Sequence, residues 1–168
     1  MAVNLEIKTK LESFEKILKI LNEKKVMHNK KILQKDIYYK VKNGLLKLRK
    51  HNDGCELIKY LRNEKDGERW SNYFVLNISG ENVENYFDEL FEIETIVEKT
   101  RELYIYKNTR IHLDKVNGLG NFLELETVVN NISQQEAKIE FDEVVKFLKL
   151  DFEDQIKKSY RDLMLAKN

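Results

Sequence analysis

The chain has 168 residues, of which 42% are hydrophobic and 35% are charged, so it carries enough apolar material for a packed core under a wet surface. A net charge of +1 at pH 7 excludes the bulk electrostatic attraction that a DNA-coating or membrane-surface protein needs. A single cysteine excludes a disulfide framework, and no apolar run approaches the roughly 18 residues of a membrane-spanning helix. We expect one cytoplasmic domain over residues 1–168, with neither a membrane nor a nucleic acid as its partner.

Alternation of apolar and polar residues predicts eight strands, which lie at residues 2–10, 35–42, 45–50, 55–63, 70–78, 95–107, 109–116 and 121–130. Asn-Gly and Asp-Gly pairs beginning at Asn43, Asp53, Asp66 and Asn117 separate several of these segments. Such pairs supply the positive φ angles of tight hairpin turns, so we expect mostly antiparallel pairing.

Apolar residues at helical spacing predict three helices, over residues 11–21, 83–91 and 139–150, and the charged tail has room for a further short helix. The basic run that contains Lys24, Lys25, Lys30 and Lys31 is interpreted as a solvated helix end and loop. Helices at the flanks of a mostly antiparallel sheet make the predicted fold class α+β.

The polar faces of three predicted strands carry like charges two positions apart. The pairs are Lys47 with Arg49, Lys99 with Arg101, and Glu124 with Glu126. For any one strand, an ordinary solvated face is the simpler explanation. Like charges placed side by side repel, however, and an outward face does not need this grouping. A closed sheet with these faces turned inward would form a wet channel suited to a polyphosphate and a divalent cation.

The histidines and two tyrosines are further candidates for the site. The three histidines lie far apart in the sequence and predict no Cys/His metal set. His112 shares a strand face with Arg110 and Asp114, where it either touches a ligand or acts as a hydrogen-bonded spacer. Tyr60 suits packing as well as stacking on a base, and Tyr160 in the tail is a candidate cap for the channel.

A series of motifs follows the order of a known family. Residues 4–8 read Asn-Leu-Glu-Ile-Lys, and residues 110–126 contain Arg-Ile-His-Leu-Asp followed by Gly-Leu-Gly and Glu-Leu-Glu. Similar segments lie at residues 34–39, 44–49, 56–62, 97–101 and 158–163. Together they resemble the CYTH, or triphosphate tunnel metalloenzyme, superfamily, and within it the class IV adenylate cyclases. The chain departs at Asn4, where the family signature Glu-x-Glu-x-Lys has its first glutamate.

The resemblance implies an eight-stranded antiparallel closed β-tunnel, a barrel open at its ends and flanked by helices. This tunnel would bind a small-molecule triphosphate together with Mg²⁺ or Mn²⁺. The implied metal ligands are Glu6, Glu124 and Glu126. The implied catalytic residues are Glu6, Lys8 and Asp114, of which Asp114 either assists the metal or orients a basic neighbour.

The same resemblance implies a set of basic residues that hold the phosphates. They are Lys8, Lys47, Arg49, Lys59, Arg62, Lys99, Arg101 and Arg110. The predicted strand that contains Lys59 and Arg62 has apolar residues on both faces. Strand periodicity therefore leaves open which of these two side chains faces the tunnel.

The implied activity has three forms. The first is a class IV-type adenylate cyclase, which converts ATP to cyclic AMP and pyrophosphate. The second is a triphosphatase acting on tripolyphosphate, thiamine triphosphate or nucleoside triphosphates, and the third is a non-catalytic binder of nucleotides or polyphosphate. Asn4 brings no charge and accepts protons poorly, which weakens the prediction of cyclase chemistry more than that of triphosphate binding. A homodimer is the commonest assembly of self-associating soluble proteins and stays an open expectation.

Overall fold

The computed structural model describes residues 2–52, 54–61 and 69–167. Within these ranges the strands are β1 (Ala2–Leu11), β2 (Met27–Tyr39), β3 (Leu45–His51), β4 (Gly54–Leu61), β5 (Arg69–Ile78), β6 (Ile93–Tyr106), β7 (Thr109–Val116) and β8 (Gly120–Val128). They pair antiparallel in the order β1-β5-β4-β3-β2-β6-β7-β8. Because β1 pairs with both β5 and β8, the sheet closes on itself, which confirms the predicted α+β barrel.

The helices of the described chain flank this barrel. They are α1 (Glu15–Glu23), α2 (Val83–Leu90), α3 (Gln134–Leu148) and α4 (Tyr160–Leu165). The main hydrophobic cluster lies outside the barrel, where Ile17 of α1 and Phe141 of α3 pack on Leu5, Ile111 and Leu125 of the strands. None of these helices is long and apolar enough to cross a membrane.

A second outer cluster lies beneath α2. Ile37 of β2 and Leu48 of β3 are fully buried there and pack against Val83 and Phe87 of the helix. Successive side chains of a strand point to opposite faces, so the neighbours of these apolar residues turn into the barrel. The hydrophobic clusters on the outside therefore leave the polar faces of the strands to line the interior.

The C-terminal segment fills one end of the barrel. Tyr160 and Leu163 of α4 pack against Val97, Val116 and Phe122, which point inward from β6, β7 and β8. A capping box at Ser159 and Asp162 begins the helix, so its first turn is fixed where it enters the barrel. The expectation of a tunnel open at both ends is therefore wrong at this end.

Strand β2 is longer than the alternation predicted, since it begins at Met27 instead of residue 35. It pairs with β6 from Met27 opposite Ile105 to Tyr39 opposite Ile93. This pairing supplies hydrogen bonds that local propensity does not reveal. Lys30 and Lys31 consequently lie on a strand, and their interpretation as part of a helix end and loop is wrong.

Candidate active site

The inner face of the barrel encloses two adjoining spaces. An inner chamber of about 60 Å³ lies next to α4, and an outer chamber of about 600 Å³ lies beyond it. The side chains that line both chambers are Glu6, Arg49, Tyr60, Arg101 and Glu126. The inner chamber adds Lys8, Asp36, Tyr38, Leu45, Lys47, Lys99, Glu124, Ser159 and Tyr160. Most of the predicted site residues are thus brought to one enclosed surface.

Asp114 of β7 holds a lysine and an arginine of β6. Lys99 Nζ donates to Asp114 Oδ2 at 3.0 Å, and Arg101 donates through Nε to Oδ1 and through Nη2 to Oδ2, both at 2.6 Å. The Tyr160 hydroxyl donates to the same Oδ2 at 3.0 Å. Burial alone would raise the pKa of Asp114, but Arg101 and Lys99 outweigh it and lower this pKa to about 2. The carboxylate is charged at neutral pH and fixes the direction of the two cations through these hydrogen bonds.

Asp36 of β2 holds the other basic pair in the same way. Arg49 donates through Nε to Asp36 Oδ1 at 2.9 Å and through Nη2 to Oδ2 at 3.1 Å, while Lys47 Nζ donates to Oδ2 at 3.0 Å. Burial would raise the pKa of Asp36, but Arg49 and Lys47 together hold it well below its usual range. Two Lys-x-Arg pairs are therefore aimed into one barrel, each by its own buried aspartate.

The carboxylates lie beside the Asp114 group, on β1 and β8. Across these strands Glu6 is directly opposite Glu126, and Lys8 is opposite Glu124. Glu124 places Oε1 3.1 Å from Lys8 Nζ and accepts from Arg101 Nη2 at its Oε2 at 2.5 Å. Burial would raise the pKa of Glu124, but Lys8, Lys99 and Arg101 together lower it well below its usual range. Glu124 is therefore an anion at neutral pH.

His112 joins this acidic group. Its ligand atom and one oxygen each of Glu124 and Glu126 lie within 4.8 Å of one another, and within the described residues this is the one such group that could hold a metal ion. Burial and the nearby Arg101 lower the pKa of His112 to about 4, so its imidazole is neutral at pH 7. Its Nδ1 is buried and has no hydrogen-bond partner in the described chain.

The outer chamber combines aromatic and apolar walls with an amide. The rings of Tyr60 and Tyr73 lie 5.4 Å apart between centroids, and Ile58 and Val75 line the same space. Asn4 donates through Nδ2 to the Tyr73 hydroxyl at 3.2 Å. Its Oδ1 is buried and accepts no hydrogen bond from the described residues. The chamber can therefore receive an organic group with a polar edge.

The barrel register contradicts one of the predicted phosphate contacts. Lys59 lies opposite Leu46, whose side chain packs in the outer cluster under α2, so Lys59 points outward and is exposed. Its prediction as a tunnel residue is therefore wrong. Arg62 lies outside the described residues. Arg110 lines the outer chamber, with its Nη1 3.8 Å from Glu126 Oε2, and its side chain is 48% exposed.

Sequence reasoning missed Asp36 and did not include His112 in the metal group. Asp36 occupies the inward position two residues before Tyr38, so its strand parity could have assigned it to the lumen. His112 reaches the carboxylates because it lies opposite Glu124 in the β7–β8 pairing. No local signal in the sequence contains that register.

Comparison with known proteins shows what the chain is similar to. A model of the CYTH domain family matches residues 2–160. A protein of Methanocaldococcus jannaschii named as a candidate adenylate cyclase is 27% identical over 96% of this chain and 98% of its own length.

Solved structures share the fold over almost the whole chain. A Pyrococcus horikoshii protein superposes with a TM-score of 0.82 at 25% identity and covers 95% of this chain and 98% of its own. A Hippeastrum protein, described as a candidate adenylyl cyclase with dominant triphosphatase activity, has a TM-score of 0.68 at 16% identity and covers 100% and 97%. The last likeness supports the fold alone.

Proposed function

The chain belongs to the CYTH domain family, a family of adenylate cyclase-like enzymes and triphosphatases, and from this we propose that it is a metal-dependent enzyme that cyclises ATP inside the barrel. The observation that carries the proposal is the pair of aspartate-oriented Lys-x-Arg groups that face one lumen. Guanidinium groups bind phosphate oxygens two at a time, and lysines add point charges. Four such cations suit a chain of linked phosphates better than they suit a single phosphate group.

The aspartates make these cations effective binders. A cation whose direction is fixed in advance loses little freedom when a phosphate arrives, so more of its attraction appears as affinity. Asp36 and Asp114 hold the arginines through two hydrogen bonds each. The remaining N–H groups of both guanidiniums are the ones available to the substrate.

The charge of the inner chamber supports a requirement for metal. Among the described residues that line it, five are basic and four are carboxylates, so the chamber has little net charge of its own. A triphosphate with about four negative charges needs further cations there. The oxygens of Glu124 and Glu126 suit a hard divalent cation, which would supply charge neutralisation at the phosphate oxygens.

The outer chamber supports an organic triphosphate over an inorganic one. Its walls include Tyr60, Tyr73, Ile58 and Val75, and its volume of about 600 Å³ accommodates a nucleoside. With the phosphates held by Arg49 and Arg101, which line both chambers, the ribose lies in the outer chamber next to Glu6. Glu6 lines both chambers and is the carboxylate assigned to accept the proton of the 3′-hydroxyl.

In this reaction the ribose 3′-oxygen forms a bond to the α-phosphorus. The bond from that phosphorus to the α,β-bridging oxygen breaks, and pyrophosphate leaves with the electron pair. Lys99, Arg101, Lys47 and Arg49 stabilise the charge that develops on the leaving group, because they are aimed at the phosphates before the reaction begins.

Triphosphate hydrolysis is the second candidate, and Asn4 is the observation that favours it. This amide stands in place of the first signature glutamate and is already hydrogen-bonded to Tyr73. The outer chamber therefore has one proton acceptor fewer for a ribose hydroxyl, whereas attack by water on the terminal phosphorus uses the same cations.

The test is turnover of ATP, tripolyphosphate and thiamine triphosphate with Mg²⁺ and with Mn²⁺, comparing the wild type with Lys47→Gln and Lys59→Gln. These lysines lie on adjacent strands, but Lys47 points inward and Lys59 outward. We expect cyclic AMP and pyrophosphate from ATP, with KM raised roughly 10–100-fold in Lys47→Gln and unchanged in Lys59→Gln. If the product is orthophosphate, the activity is hydrolysis and the cyclase proposal is overturned. A triphosphate that stays intact with either metal would overturn both.

A further inference from the structure

The acidic group of the barrel contains one nitrogen atom of a type that binds metals, that of His112. His112 Nδ1 lies 3.9 Å from Glu126 Oε1, and both belong to the set with Glu124 whose ligand atoms lie within 4.8 Å. Two atoms bound to the same small dication at about 2.1 Å each can be no more than about 4.2 Å apart. The 3.9 Å between His112 Nδ1 and Glu126 Oε1 lies within this limit, so one ion can contact both atoms.

The imidazole also has a buried atom that no described residue satisfies. His112 is 3% exposed, and its Nδ1 has no hydrogen-bond partner in the described parts of the chain. A buried nitrogen without a partner costs stability, and a bound cation would remove that cost. Because His112 lies opposite Glu124 on the neighbouring strand, the β7–β8 register holds it in place.

We infer that His112 is a direct nitrogen ligand of the divalent cation and makes the centre prefer a first-row transition metal such as Mn²⁺ over Mg²⁺. This inference rests on the proposed function, since it names the cation of the same site. Mg²⁺ prefers an octahedral shell of oxygens and keeps several waters, whereas imidazole favours transition metals. A mixed set of one imidazole and two carboxylates therefore separates the two ions.

The neighbouring cations sharpen this preference. Both oxygens of Glu124 already contact basic groups, Lys8 at 3.1 Å and Arg101 at 2.5 Å. A metal must share this carboxylate with Lys8 and Arg101. The contribution of the Glu124 oxygens to metal affinity is therefore smaller. The neutral nitrogen of His112 is then a larger fraction of what holds the ion.

The experiment measures metal binding without substrate. Mn²⁺ is titrated into the protein, and binding is followed by loss of the electron paramagnetic resonance signal of aqueous Mn²⁺, then by competition with Mg²⁺. Pulsed measurements on bound Mn²⁺ detect the magnetic coupling of a directly ligated ¹⁴N. The variants are His112→Gln and His112→Phe, with His28→Gln as the matched control. His28 is an exposed histidine whose Nε2 lies 2.8 Å from a carboxylate oxygen of Glu102.

We expect the wild type to bind Mn²⁺ at least about tenfold more tightly than Mg²⁺ and to show nitrogen coupling. His112→Gln should lose the coupling and roughly 10–100-fold in Mn²⁺ affinity, with a smaller loss for Mg²⁺. His28→Gln should match the wild type. The wild-type coupling stands as a test even if His112→Phe does not fold.

Two results overturn the inference: bound Mn²⁺ without nitrogen coupling in the wild type, or an unchanged Mn²⁺-to-Mg²⁺ ratio in folded His112→Gln. Calorimetric binding of tripolyphosphate by the same preparations separates this from the proposed function. Triphosphate binding without nitrogen coupling overturns only the ligand assignment. Nitrogen-coupled Mn²⁺ without triphosphate binding overturns the proposed function and leaves the metal site standing.

Discussion

The two basic clusters inside the barrel share a local design but differ in their surroundings. In each, an aspartate lies directly opposite an arginine on the neighbouring strand, Asp36 opposite Arg49 and Asp114 opposite Arg101. The two partners are 13 residues apart in both clusters. The Asp114 cluster also binds the Tyr160 hydroxyl of α4, whereas the Asp36 cluster accepts a hydrogen bond from Gln34 on its own strand.

This difference changes what each arginine can do. Arg101 contacts two carboxylates, Asp114 and Glu124, and its side chain is 6% exposed, whereas Arg49 contacts Asp36 and is 19% exposed. Arg49 therefore has more capacity left for a ligand. The Asp114 cluster joins the barrel wall to the C-terminal plug and to the acidic group, so the same motif contributes more to architecture there.

The largest expected effect compares the aspartates. Asp114→Asn keeps the shape of the side chain but removes the counter-ion of Lys99 and one of the two carboxylates that hold Arg101, so we expect the free energy of unfolding at pH 7 to fall by about 3–5 kcal/mol. Asp36→Asn should cost less, about 1–3 kcal/mol, because Arg49 reaches solvent more easily. Urea unfolding measures both variants. Equal losses would show that the contact with the plug adds nothing to the Asp114 cluster.

The plug itself is tested by Tyr160→Phe. This change removes the hydroxyl that donates to Asp114 and leaves the aromatic packing on Phe122 in place. A hydrogen bond to a charged group contributes about 1.5–3 kcal/mol, so we expect a loss of that size in thermal or urea unfolding. Tyr86→Phe, at a ring that is 65% exposed, is the control and should unfold like the wild type.

Arg49 and Arg101 are compared next, through triphosphate affinity and stability together. Arg49→Gln should weaken tripolyphosphate binding roughly 10–100-fold and lower the free energy of unfolding by about 1–3 kcal/mol, less than Arg101→Gln does, because Asp36 keeps Lys47 and Gln34 as partners. Arg101→Gln should lose both affinity and stability, since Asp114 and Glu124 are left without their shared partner. Calorimetry measures the affinity and urea unfolding measures the stability of the same samples. If both variants behave alike, the two clusters do not differ in role.

The smallest expected effect is a pH dependence of the Asp114 cluster. Burial and Arg101 lower the pKa of Lys99 from 10.5 to about 8, so the folded protein releases this proton before the unfolded chain does. Between pH 8 and 10.5 the unfolded state binds more protons, and this group's contribution to stability rises with pH. Triphosphate affinity should fall by up to about tenfold per pH unit above pH 8, because the ligand needs the charged lysine. Lys99→Met should bind more weakly and lack this step in a calorimetric pH series.

Some of the strands and the residues that line the barrel could be predicted from the sequence. They depend only on the alternation of polar and apolar residues along one strand. The strand predicted at residues 109–116 coincides with β7, and the like-charge pairs on β3, β6 and β8 do line the lumen. Alternation of side chains is a property of every extended backbone, so it needs no knowledge of the partner strand. The Asn-Gly turns at Gly44 and Gly118 have φ angles of +71° and +76°, as a tight turn demands.

Strand β4 shows where local pattern stops being sufficient. Ile58 and Tyr60 are apolar on the lumen face, while Leu57 packs in the cluster under α2 on the other face. An apolar residue is acceptable on either side, so the sequence alone did not decide whether Lys59 faces the tunnel. The pairing of Lys59 with Leu46 decided it.

The amino-acid sequence by itself determined the strands, their polar faces and the family to which the chain belongs, because these depend on residue type and spacing along one segment. Only the tertiary structure decided that Tyr160 reaches Asp114 across 46 residues and that His112 joins Glu124 and Glu126. Those contacts depend on barrel closure and strand register, which distant parts of the chain set together. The plugged end and the mixed nitrogen-oxygen group are therefore properties of the folded molecule.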